Sequence, residues 1–222
     1  MISSSHQFVK LCKNHLLPVM RALLPALFFI SCSKQPAASQ AAPGAAPDSP
    51  APKKVSLAFA RAVASGDIGG MKSVAIGTTG RVFAFYVSLA NTVTAEHRFK
   101  AALVARFGDD CEIPPDIESI GNMNPLPPDY DSLTEKIDGD TATLVNAAGK
   151  GGLKFKKITG EWKVDFDAVD AGLPAGGAEN MARQQAIFDA TVKAFDVVTA
   201  KIAKGVYPDC KAAVDDVMLP HP

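Results

Sequence analysis

From residue 82 onward the apolar residues change their spacing twice, and that change restricts the chain to a small set of folds. Val82, Phe85, Tyr86, Leu89, Val93, Phe99, Leu103 and Phe107 follow a three-to-four-residue spacing, with one gap between Val93 and Phe99, and stop at Gly108. That is the period of one helix face ended by a glycine. From Leu133 the period is two. Leu133, Glu135 and Ile137 lead into Asp138-Gly139, and a second alternating run spans Thr141 to Val145. Such a dipeptide between alternating runs specifies a hairpin turn. A glycine-rich stretch over 149–152 introduces Leu153 to Ile158, and Thr159-Gly160 turns the chain into Trp162 to Phe166. In that last run Trp162, Val164 and Phe166 fall on one face, Lys163 and Asp165 on the other. The pattern predicts a four-stranded antiparallel meander with one wet face, flanked in sequence by helices, hence an α+β domain.

The flanking helices have their own punctuation. Val55, Phe59 and Val63 are helically spaced, Ser65-Gly66 stops them, and Asp67 is placed to cap a short helix through Met71 and Val74. On the long helix that follows, Arg81, Ser88, Asn91, Glu96, Arg98 and Arg106 make up a face expected to meet solvent. Prolines at 114, 115, 125, 127 and 128 exclude a regular strand or a long helix between Asp109 and Tyr130. After Gly176-Gly177, Met181, Phe188, Phe195 and Ile202 stand seven apart. The spacing suits a coiled-coil seam, but no partner heptads accompany it. One helix face packed on the sheet is the favoured expectation. Gly205 ends this helix, and Asp209 to Met218 form a final short one.

The first 54 residues follow different rules. Lys10, Lys13 and Arg21 precede the apolar run Ala22 to Ile30, and no acid lies upstream of Cys32. A basic segment followed by a short apolar one is the layout of a secretory signal. The run is too short for a spanning helix, which needs about 20 residues. Ile30-Ser31-Cys32 resembles the lipobox of bacterial lipoproteins, with Phe29 in place of the usual leucine. The resemblance implies that residues 1–31 are removed and that Cys32 is lipidated. Membrane contact through the N-terminal lipid follows, and Ser33 implies the outer membrane, facing the periplasm. Residues 32–54 then comprise the lipidated cysteine and an Ala/Pro-rich tether with no large apolar residue, which cannot bury enough surface to order itself. Removing three basic residues from 23 leaves 20 against 23 acids. That balance lacks the basic footprint expected of a nucleic-acid partner. His97 and His221 alone remain in such a mature chain, too few for a histidine-rich metal site.

"IDGDTATLV" followed by "LKFKKITGEWKVDF", with helices before and after, resembles the NTF2-like, or cystatin-like, superfamily. "FARAVASGDIGGMKSV" is similar to its opening helices. The resemblance implies that residues 55–222 form one domain in which a curved sheet wraps a long helix around a cone-shaped cavity. No counterpart of the usual first strand is evident between Thr78 and Tyr130, which implies a helix-enriched variant. The superfamily holds isomerases and dehydratases as well as noncatalytic domains, so its fold alone assigns no activity. Enzymes of the superfamily aim an Asp or His into the cavity, and no residue here matches such a position. The candidates are Tyr86 and His97, each more simply read as core or solvated, and the acidic cluster Asp109, Asp110 and Glu112, which lacks the ligand alternation of a calcium loop. No nucleophile elbow, phosphate loop or paired-cysteine zinc motif occurs. No catalytic residue, metal or cofactor is therefore expected.

The expected protein is a noncatalytic, lipid-anchored envelope protein that binds a small ligand or an envelope protein through its domain. The alternatives are a small cavity enzyme of isomerase or dehydratase type and an envelope structural or assembly factor. Lys154, Lys156 and Lys157, with Lys150 and Lys163 nearby, make a basic strand face that suits either solvent or an anionic surface. With Cys12 in the signal and Cys32 lipidated, Cys111 and Cys210 remain in an exported domain where oxidation is permitted. They are expected to form a disulfide; two buried thiols are the alternative.

Overall fold

In a computed structural model of the chain, the residues described are 51–121, 125–126, 130–149 and 151–218. The signal segment, Cys32 and nearly all of the tether lie outside them. The elements run α1 (Pro52–Ser65), α2 (Ile68–Ser73), β1 (Ala75–Ile76), α3 (Arg81–Phe107) and α4 (Pro115–Gly121). After a single 3-10 turn (Tyr130–Ser132) come β2 (Thr134–Asp138), β3 (Thr141–Val145), β4 (Gly151–Ile158), β5 (Glu161–Asp165), α5 (Phe166–Ala171), α6 (Gly177–Ala203) and α7 (Cys210–Val217).

Local chemistry explains most of these boundaries. Pro52 opens α1, where a missing N–H costs nothing. Gly66 closes it at φ 71°, and the Asp67 amide bonds back to the Ala62 carbonyl at 2.8 Å. A β-carbon at Gly66 would lie 2.0 Å from Thr94 Oγ1, so the same glycine lets α1 approach α3. Asp67, Asp165 and Asp209 cap α2, α5 and α7 by accepting from the amides of Gly70, Ala168 and Ala212. Between β4 and β5, Thr159 and Gly160 both take positive φ, 49° and 89°. Two successive positive values are the signature of a tight type I′ hairpin turn.

The sheet corrects the expected architecture. Its order is β1-β5-β4-β3-β2, five strands, with β2 to β5 antiparallel and β1 parallel to β5. The added strand is two residues long, too short to show a period. It is held by the Val164 amide donating to the Val74 carbonyl at 2.9 Å. Val74 therefore ends α2 instead of continuing it.

A second correction concerns the seven-residue spacing of α6. Its buried face lies along α3 for the whole length of the pair, not on the sheet alone. Phe188 meets Phe85 at 5.4 Å and Phe195 meets Phe99 at 5.2 Å between ring centroids. Arg98 pairs with Asp196 at 2.7 Å. Partners rise together in number, so the two 27-residue helices run parallel, each roughly 40 Å long at 1.5 Å per residue. Thr92 and Glu96 interrupt the apolar stripe of α3 and hide its role as the partner. For the same reason Ser88 and Glu96, expected in solvent, are buried at 5% and 0% exposure.

The helix pair serves two cores. The first gathers α1, the sheet, the leading halves of α3 and α6, and Phe166 of α5. The second lies among helices, built from Ala95, Phe99 and Leu103 of α3, Ile117 of α4, Phe195, Val198 and Ile202 of α6, and Ala213 and Val214 of α7, with Tyr207 from the loop before α7.

Candidate functional site

The space between sheet and helices is where a ligand-binding domain of this architecture would hold its ligand. Here it is occupied by side chains. Phe59 lies 5.2 Å from Tyr86 and 5.1 Å from Phe166 between centroids, and Phe166 also meets Phe83 at 5.5 Å and Tyr86 at 5.7 Å. Phe155 and Val164 close the group from the sheet. Burying one such ring stabilises the fold by about 1.5–3 kcal/mol, with a further contribution of about 0.5–1.5 kcal/mol from each edge-to-face pair. Tyr86, a candidate from sequence, is part of this packing. Burial raises the pKa of its phenol far above the usual tyrosine range. It is a packing residue held neutral, not an acid or base poised for proton transfer.

His97 is half exposed, with 53% of its side chain accessible, and its Nε2 stands 3.6 Å from Glu96 Oε2. Glu96 is the unexpected member. Its side chain is fully buried and neither carboxylate oxygen accepts a hydrogen bond. Lys100 Nζ approaches Oε1 at 2.8 Å, a charge contact without hydrogen-bond alignment. Lys100 keeps 26% of its side chain in solvent, so the pair joins a buried anion to a cation at the surface. Glu96 falls on the helix face expected to meet solvent, and the one local sign of its pairing is Lys100 four residues later, a helix-pair spacing. Thr199 Oγ1 of α6 is also buried without a partner.

The other candidates are not drawn together. Asp109, Asp110 and Glu112 are exposed on the segment after α3. Among the described residues no group of three His, Cys, Asp or Glu side chains converges to hold a metal ion. At the opening of α3, the Asp170 carboxylate accepts from the Arg81 amide at 3.4 Å and from Arg81 Nε at 3.2 Å. That helix end is satisfied within the chain. Cys111 and Cys210 stand at disulfide distance, with Cα atoms 5.7 Å apart, joining the segment after α3 to the first residue of α7. Beside them, Tyr207 donates to Asp216 Oδ2, which also lies 2.8 Å from Lys201 Nζ. No helix among the described residues is long and apolar enough to cross a membrane.

No family model, curated protein or solved structure matches the chain.

Proposed function

We propose that the chain is a lipid-anchored protein of the bacterial envelope, held through Cys32, whose NTF2-like domain works by surface contact with an envelope partner and not by catalysis. The observation that bears most weight is the aromatic filling between sheet and helices. A cavity enzyme needs room there and an ionisable group aimed into it; Phe59, Tyr86, Phe83 and Phe166 instead pack ring against ring. That packing supports a protein partner over a small ligand. The NTF2-like reading draws on the α1–α2 pair closed by Gly66-Asp67 and on the antiparallel order of β2 to β5 against α1 and α3. The anchor reading draws on the order of Arg21, the apolar run, Ser31 and Cys32. It is also supported by the start of α1 at Pro52, near the end of the Ala/Pro-rich tract. A disulfide-distance cysteine pair suits an oxidising compartment, and Ser33 suits the outer membrane.

Intact-mass analysis of protein extracted from native membranes tests the anchor. The expected mature chain begins at Cys32 and bears acyl chains; an unmodified Cys32 or another mature start rejects it. Crosslinking of the native protein in intact cells tests the role. A defined envelope protein should be captured through the domain, and recovery of the domain without one rejects the partner-binding reading.

A further inference from the structure

We infer that the outer face of the meander is a docking surface for an anionic phospholipid bilayer. Leu153, Phe155, Trp162 and Val164 point into the core, so the alternate residues of β4 and β5 point away from it. Strand register aligns Lys136 with Thr143 and Thr143 with Lys154 in one cross-strand row. The next row aligns Thr141 with Lys156 and Lys156 with Lys163. Lys136 and Lys156 are exposed, and Lys154 is partly so. Lys163 is committed internally, 2.8 Å from Glu161 and donating to the Ser73 carbonyl at 2.7 Å. Lys136, Lys154 and Lys156 make no ion pair among the described residues. Of the acids on this face, Glu161 is taken by Lys163 and Asp165 by the amide of Ala168. Asp138 sits at the hairpin end of β2.

Folding gives Lys154 a partial role, because its Nζ lies 3.5 Å from where a β-carbon on Gly172 would stand, at the carbonyl end of α5; it gives Lys156 none. A lysine that guards a sheet against edge pairing belongs on an edge strand, and Lys136 meets that description. Lys154 and Lys156 are on β4, which is paired on both sides. Lys156 also lies directly opposite Lys163, a like-charge arrangement that destabilises a sheet. The geometry then selects the partner. Strand spacing and residue rise set the lysine backbone positions about 7–12 Å apart on a pleated surface. Such cations meet headgroups lying side by side in a plane better than they converge on one small anion. The domain is also delivered to such a plane. The amide of Lys53 donates to Glu135 Oε1 at 2.7 Å, so the tether enters beside β2, at the edge of this sheet. This last point rests on lipidation at Cys32; the charge argument does not.

The test is lysine footprinting on the full native protein in lipid vesicles. An amine-acylating reagent is applied to protein in vesicles rich in phosphatidylglycerol and, separately, in zwitterionic phosphatidylcholine vesicles. Modification is read by peptide mass spectrometry. A lysine at an anionic surface gains about fivefold in partitioning. Lys136, Lys154 and Lys156 should therefore react several-fold more slowly in the anionic vesicles, and high salt should remove the difference. Lys193, exposed on α6, should react equally in both. Equal rates at the sheet lysines in the two vesicle types overturn the proposal. Protection by dissolved polyphosphate with none from the vesicles also overturns it. The intact mass of the same sample separates this result from the anchor. An acylated chain with unprotected lysines rejects the surface alone. An unacylated chain that gains salt-sensitive protection from added anionic vesicles upholds the surface and rejects the anchor.

Discussion

Lys100 Nζ lies 2.8 Å from Glu96 Oε1, one turn further along α3, and offsets a carboxylate sealed from water. A buried charge that loses its partner is costly, whereas removing both charges is often neutral or stabilising. Lys100→Met should lower unfolding stability by about 2–3 kcal/mol, less than for a fully buried pair because Lys100 reaches solvent. The double variant Glu96→Leu/Lys100→Met should recover most of that loss. Urea melts of the three proteins decide the matter. A double variant less stable than Lys100→Met would mean that Glu96 is held by more than its lysine.

The Cys111–Cys210 pair closes a loop spanning 99 positions of sequence. For a loop of about 100 residues the chain-entropy model sets the contribution near 4.7 kcal/mol. Protein exported through its own envelope should show no titratable thiol from Cys111 or Cys210 when denatured without reductant. Cys210→Ser should lower stability by up to that amount and should speed amide exchange in α7 before it does so in the sheet. Two free thiols, or uniform exchange in all elements, would contradict this.

The chain has three tyrosines, and each has a raised pKa. Burial is the leading cause at Tyr86, at Tyr130 and at Tyr207, where the bond to Asp216 and its charge add to it. Raised values mean that the folded chain keeps protons which the unfolded chain releases near pH 10. The resulting stability is whole below about pH 10 and falls as pH climbs toward the folded values. Tyrosinate absorbance should therefore rise together with the loss of helical signal in an alkaline titration. Ionisation of any tyrosine near pH 10 in protein that stays folded would show that its ring is more open than its packing implies.

Thr159 occupies the left-handed region at φ 49°, where a β-branched side chain is strained. Asparagine tolerates that region and suits the first position of a type I′ turn. Thr159→Asn should raise stability by about 1 kcal/mol, seen as a higher melting temperature. An unchanged or lower value would mean that the Thr159 hydroxyl, which donates to the Ile158 carbonyl at 2.8 Å, offsets the strain.

What could be read from the sequence follows the range of the forces involved. Strands β2 to β5, the stops at Gly66, Gly108 and Gly205 and the caps at Asp67 and Asp209 are set by neighbours within a few residues, and pattern exposes them. β1 is fixed by residues almost ninety positions away, through Val164 and Lys163, so nothing local announces it. The same limit applies to Glu96. Its charge and its place between Ala95 and His97 read as surface, and only α6 passing alongside turns it inward. The cysteine pair was accessible because the expected export of the domain left only two cysteines to pair. The filling of the interior was not, because an apolar residue facing inward reads the same whether it lines a cavity or plugs it.

Two parallel helices of equal length cannot be joined by a short loop. The chain leaves α3 at Phe107 and must travel back to the opposite end before α6 can start at Gly177; the whole meander is that return journey. Docking of α6 therefore brings together segments about a hundred residues apart, and contacts so distant in sequence form slowly. Until α6 docks, Phe85 and Phe99 lack the rings of Phe188 and Phe195 that cover them. Folding should then proceed with α6 arriving last, so that Phe195→Leu accelerates unfolding and leaves the folding rate nearly unchanged. Until that arrival, a growing chain shows a greasy stripe down α3, and that stripe is what a holding chaperone would meet.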